Sequence, residues 1–142
     1  MIQAVSAAIQ TVEAGGGIVF GSPRIQTGCT VRHEEGSSRF VLLAPGIYSV
    51  RFGGNIAVPE GGTVGPISVG LSVDGEGVTG SEAIFTPTAV EEYGNVSIDT
   101  LVRVYGCCAI NVGVSVVNTS DAEIDVQDAN LLIVRECGGG NG

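Results

Sequence analysis

The sequence predicts an all-β fold, a jelly-roll sandwich of about ten antiparallel strands, on three observations. Period-two alternation runs through Ile67, Val69, Leu71 and Val73, through Val96, Ile98, Val102 and Val104, and through Ile110, Val112, Val114 and Val116. Such alternation marks strands with one face on a core. Turn signals recur every 8–12 residues by the spacing typical of sandwiches. Gly accounts for 23 of 142 residues and is scattered rather than periodic, which fits many tight turns and excludes a collagen-like chain.

Taken in order, residues 1 to 12 read as a modest strand with Val5, Ile9 and Val12 as its apolar points, or as an N-terminal arm extending to Glu13. A Gly15-Gly16-Gly17 break precedes a short apolar piece, Ile18-Val19-Phe20, and Gly21-Ser22-Pro23 reads as a turn. Cys29 to His33 is expected as a strand with Cys29, Val31 and His33 on one parity, returning through Arg39 to Leu43 after the polar loop Glu34–Ser38. Ile47 to Val58 reads as a long strand, with Tyr48, Val50, Phe52, Ile56 and Val58 sharing a face. Gly53-Gly54 inside it signals a bulge or a close backbone contact.

Asp74-Gly75 is the strongest hairpin signal, because a type I′ turn needs positive φ at both central residues. The return runs through Val78 to Ile84-Phe85, and PTAVEEYG, residues 87 to 94, is the one candidate for a helical turn. The stretch Asn95 to Asn118 reads as a long hairpin folding back at Tyr105-Gly106-Cys107. The last strand starts at Ile124 and Val126, and its parity slips near Gln127-Asp128-Ala129, which reads as a bulge before Leu131 and Ile133. One jelly-roll domain, residues 14 to 137, is therefore expected, followed by a frayed Gly-rich tail, 138–142.

Composition limits the chemistry. The chain carries six Arg and no Lys, one His and a net charge of −9, with 15% charged residues. Clustered cations for nucleic acid or an anionic membrane are missing, so neither is expected as a partner. No Lys means no Schiff base and no P-loop. A lone His33 excludes multi-histidine metal sites within one chain, and catalysis is not expected. The start, MIQAVSAAIQTVE, lacks a signal-peptide pattern, so synthesis in the cytoplasm without such a peptide is the expectation.

Four cysteines, Cys29, Cys107, Cys108 and Cys137, allow three complete pairings, and a Cys29–Cys108 disulfide is a candidate if the early strand lies against the long hairpin. Their spacing does not suit zinc. No cofactor is expected. Acidic residues fall in loops (Glu34-Glu35, Asp74 and Glu76, Glu91-Glu92, Asp121 to Asp125) and could hold Ca2+ through oxygen ligands, although a solvated acidic rim is the stronger reading. His33 beside Glu34 is either a pH-sensitive group or an ordinary surface residue.

The element Pro45-Gly46-Ile47-Tyr48-Ser49-Val50 resembles the PGxYxF strand of the C1q/TNF-like superfamily. Ile67 to Gly75 is similar to its following strand and turn, Leu101 to Val114 to a later strand pair, and Ala129 to Ile133 to its closing strand. Gly106-Cys107 stands where the family usually has Gly-Asp. The wording FGGNIAVPEGGTVGPISV and TPTAVEEYGNV also resembles a group of small surface or fibre-tip proteins from Firmicutes and their phages. The resemblance implies a ten-stranded jelly roll that forms homotrimers and works by assembly and recognition. It leads to the expectation of a structural protein on a virion or other particle surface, a phage head-decoration or fibre protein. Its partners would be itself and other capsid, tail or surface-layer proteins. A spore-surface (exosporium-like) or glycan-binding module is the alternative. Candidates for the trimer interface are Tyr48, Phe52, Leu101, Tyr105 and Val117, taken as apolar residues that face outward.

Overall fold

The computed structural model describes residues 1–21, 23–106 and 110–138. Among the described residues, twelve strands form two six-stranded antiparallel sheets. Sheet A holds β1 (Ile2–Ser6), β2 (Gln10–Val12), β3 (Pro23–Gln26), β6 (Gly46–Ala57), β10 (Gly94–Val104) and β12 (Ile124–Gly138), in the order β10-β6-β12-β1-β3 with β2 also on β12. Sheet B holds β4 (Val31–His33), β5 (Phe40–Leu42), β7 (Ile67–Val73), β8 (Glu76–Gly77), β9 (Ala83–Phe85) and β11 (Val112–Asn118), in the order β4-β5-β11-β7-β8 with β9 also on β7. The core between them is filled by alternate residues of both sheets. Tyr48, Val50, Phe52, Ile56, Leu131 and Ile133 come from sheet A, and Phe40, Leu42, Val69, Leu71, Val114 and Val116 from sheet B. Burying such side chains stabilises the fold by roughly 1.5–3 kcal/mol each.

The longest expected hairpin does not exist. β10 pairs with β6 in sheet A, whereas β11 pairs with β5 and β7 in sheet B. β10 and β11 therefore belong to different sheets. Alternation looks the same in a hairpin and in a crossover, because each strand needs only one apolar face on the shared core.

The N-terminal segment is built into sheet A of the protomer. β1 lies between β12 and β3, β2 continues along the same edge of β12, and Ile2 and Ala4 are buried. The buried parity there is Ile2 and Ala4, while Val5 and Ile9 are exposed. Residues 87–93 form bends and a turn instead of a helix, with Glu91 at φ 57°.

Two sequence-derived details hold. Asp74 and Gly75 have φ 51° and 87° between paired Val73 and Glu76, as the turn requires. Pairing of β12 with β6 slips between Gln127 and Asn130, and Asp128 has φ 54°. Opposite this bulge, a Cβ on Gly54 would stand 3.2 Å from the Phe52 ring and 3.4 Å from Ala129 Cα, so β6 and β12 approach closely there. Asn118 is buried and fastens the end of the sandwich: its Nδ2 donates to the carbonyls of Val12 (3.0 Å) and Ala122 (2.8 Å).

Candidate self-association face and the opposite groove

Candidate functional surfaces lie on the outward faces of the two sheets. On sheet A the strand register maps the surface row by row. Leu101 stands opposite Ser49, which stands opposite Val134; Arg103 stands opposite Ile47; and Asp99, Arg51, Leu132, Gln3 and Ile25 form a row across five strands. Leu101, Ile47, Leu132 and Val134 therefore gather toward one end of the face. Leu101 is 63% exposed and Tyr105, just beyond β10, is 76% exposed, with the Arg103 guanidinium 5.1 Å from its ring centre. The opposite end is polar: Ser97, Gly53 and Asn130 make one row, Asn95, Asn55 and Gln127 the next. Asn95 Nδ2 donates to Asn55 Oδ1 at 3.2 Å. Between the two ends Arg51 and Asp99 form an exposed ion pair at 3.6 Å, a contact of little energetic weight.

The five interface candidates separate. Leu101 and Tyr105 share this outward face. Tyr48 is fully buried and Phe52 is 2% exposed, both inside the protomer's own core, so neither faces a neighbour. Tyr48 and Phe52 have the parity of Val50 and Ile56, and that parity points inward; the Tyr48 hydroxyl escapes desolvation by donating to the Ala44 carbonyl at 2.7 Å. Val117 is half-buried on β11, in the other sheet, and cannot join a patch with Leu101. Residues that sequence reasoning passed over, Ile47, Leu132 and Val134, belong beside Leu101. Their signal was present as the off-parity apolar residues of two strands whose core parity was already assigned.

Sheet B carries a groove of about 980 Å³ on its outward face. Its lining includes Ser115, which stands opposite Ser72, with Gly113 and Val117 on either side of Ser115 along β11. One end is closed by Arg39 and Asp74. Asp74 Oδ1 accepts from Gly113 N–H at 2.8 Å, and the Gly113 carbonyl accepts from Asp74 N–H at 2.8 Å. The Arg39 guanidinium lies where a side chain on Gly113 would stand, and its Nη2 donates to Asn111 Oδ1 at 3.1 Å. At the other end Ser68 and Thr119 share a hydroxyl–hydroxyl bond of 2.6 Å.

The remaining candidates lie apart from both surfaces. Cys29 is exposed in the bend before β4, so it is not a buried thiol, and Cys108 lies outside the described residues, as does the 139–142 part of the tail. His33 is not a surface residue. It is buried, stacks on Phe40 with ring centres 4.0 Å apart, and places Nδ1 3.2 Å from the Arg39 carbonyl and Nε2 3.1 Å from that of Gly21. Among the described residues no three His, Cys, Asp or Glu side chains converge as a metal site would require. Two loop groups between β9 and β10 titrate away from their ordinary values. Hydrogen bonds from Thr88, its hydroxyl first and its backbone N–H second, hold the Glu92 carboxyl low. Burial, with smaller contributions from Asp125 and Glu91, raises Tyr93.

The fold is an all-β jelly roll similar to that of C1q- and TNF-type domains. The chain is similar to the globular domain of zebrafish complement 1qA protein (TM-score 0.65, 9% identity, 92% of this chain and 94% of that one). It is also similar to Eiger TNF from S. frugiperda (TM-score 0.72, 11% identity, 96% and 93%) and to PRD1 vertex protein P5 (TM-score 0.51, 13% identity, 94% of each). At these identities the likeness is one of fold. No protein-family model and no curated protein sequence matches the chain.

Proposed function

We propose that this chain is a non-enzymatic structural protein that forms a homotrimeric surface module of a particle, with the outward face of sheet A turned toward its copies. The observation that carries the reading is the apolar end of that face, where Ile47, Leu101, Leu132 and Val134 meet with Tyr105 at the margin. Covering apolar surface gains roughly 25 cal/mol per Å². A closed ring of copies covers it without leaving a free end that would polymerise. Three-fold closure is what the C1q/TNF resemblance implies, and the shared fold supports it.

The finer reading is a phage head-decoration or fibre protein, located on the virion and seated on other capsid, tail or surface-layer proteins. Its support is the fold shared with a protein named for a vertex, together with a chain that has no Lys and one His. The test is mass spectrometry of purified particles from cells expressing either the native chain or Leu101→Glu. The native chain is expected in the particles at a multiple of three copies per attachment site, and Leu101→Glu is expected to be lost from them. Absence of the native chain from every purified particle would overturn the reading. Undiminished incorporation of a monomeric Leu101→Glu variant would overturn the role given to sheet A.

A further inference from the structure

We propose that the groove on sheet B is a binding site for a neutral saccharide. It lies on the sheet opposite the proposed assembly face, so it stands or falls independently of that reading. Ser72 is only 6% exposed, its parity points away from the core side chains Leu71 and Val73, and it lines the groove. Its hydroxyl makes no hydrogen bond within the protein among the described residues, and since no buried side-chain oxygen or nitrogen there lacks a partner, this hydroxyl opens onto the groove and is free to bond a ligand. Ser115 is directly opposite on β11 and also lines the groove. Opposed side chains in an antiparallel pair stand roughly 5 Å apart at Cβ, so the two hydroxyls can engage neighbouring hydroxyls of one sugar ring.

The charged end of the groove supplies what a hydroxyl pair cannot. Asp74 is held by the turn and by the Gly113 N–H on Oδ1, which leaves Oδ2 as an acceptor. Arg39 lies across Gly113 and donates to Asn111 Oδ1. Neither has an ion-pair partner within 4.0 Å among the described residues. The carboxylate accepts from hydroxyls and the guanidinium donates to them, so each sugar hydroxyl finds the complement of either of its roles. A polyanionic ligand would meet Asp74 and a chain of net charge −9, which disfavours it. Val117 offers apolar contact for the C–H face of a ring, and a groove of this volume has room for more than one ring. The groove has no aromatic residue to stack on a sugar, so one protomer binds weakly and several joined copies gain by avidity.

The test begins with the labelled full chain on a printed array of neutral and acidic oligosaccharides. The best neutral oligosaccharide is then titrated into the protein while backbone amide resonances are followed. Binding of at least one neutral series is expected, with shifts at Ser72, Asp74, Gly113 and Ser115. Ser115→Leu fills the groove and is expected to weaken binding at least tenfold. Asp74→Asn, which keeps the turn because Asn accepts positive φ and retains an acceptor for Gly113 N–H, is expected to do the same with thermal unfolding unchanged. Four results would overturn the proposal: no binding to neutral glycans, binding of acidic glycans or peptides only, shifts confined to sheet A, or full affinity in Ser115→Leu.

Discussion

The two sheets present the same kind of face to the core and different faces to the outside. Inward, each contributes alternate Val, Ile, Leu and aromatic side chains. Outward, sheet A combines a cluster of medium and large apolar residues with a row of amides, whereas sheet B shows Gly and Ser over a groove. The inward parity answers to the hydrophobic effect and is nearly fixed by it. The outward parity is free of that demand, so the residues found there report on what the face must meet. Large apolar residues suit a flat partner that excludes water, and small hydroxylated ones suit a ligand that enters between the strands.

If the sheets differ only outward, truncating either inner face should cost stability of the same order. Leu131→Ala in sheet A should lose ~2–5 kcal/mol and Phe40→Ala in sheet B ~3–5 kcal/mol, the latter also removing the stacked partner of His33 and an edge-on contact with Phe20. Denaturant unfolding measures both. A loss below about 1 kcal/mol in one sheet alone would mean that the core does not bind the two sheets equally.

Glycine substitutions sharpen the contrast at smaller amplitude. On Gly94, the first residue of β10, a Cβ would collide with the Phe85 ring of sheet B. Gly94→Ala is therefore expected to cost ~1–3 kcal/mol, because a half-buried aromatic ring packed against the core must shift to make room. On Gly113 a Cβ meets the end of the exposed Arg39 side chain, which can swing aside. Gly113→Ala should change stability by less than about 1 kcal/mol while displacing Arg39 from the groove.

How much of this was legible in the sequence follows the same division. Strand parity was readable wherever the core demanded it, as in Ile67 to Val73, and so were the Asp74-Gly75 turn and the bulge near Asp128. Which strand pairs with which was not, because the 95–118 stretch needs only a common core and either a hairpin or a crossover provides it. Tyr48 and Phe52 are expected outward as apolar interface residues, against the parity they share with Val50 and Ile56, and the parity prevails. The groove was invisible because it depends on register: Ser72 and Ser115 are 43 positions apart and meet only once β7 and β11 pair.

The crossover between β9 and β10 provides the smallest effects. Glu92 has a folded pKa below its ordinary 4.5, so its contribution to stability is present above the unfolded value and is lost as pH falls through the folded one. Thr88→Val should raise its midpoint toward 4.5, read from the carboxyl carbon resonance. Tyr93 is opposite in sign: its folded pKa lies above 10.0, so its contribution is complete below pH 10 and is lost as pH rises through the folded value. Asp125→Asn should lower the Tyr93 midpoint only in part, because burial is the larger cause.

The central claim is that the outward face of sheet A is where copies of this chain meet. Sedimentation equilibrium at micromolar concentration tests it most directly, with the native chain beside Leu101→Glu. The native chain should sediment at three times the 14.3 kDa protomer mass, and Leu101→Glu at the protomer mass with its circular dichroism unchanged. A native chain that sediments as a monomer, or a Leu101→Glu variant that remains a full trimer, would contradict the account.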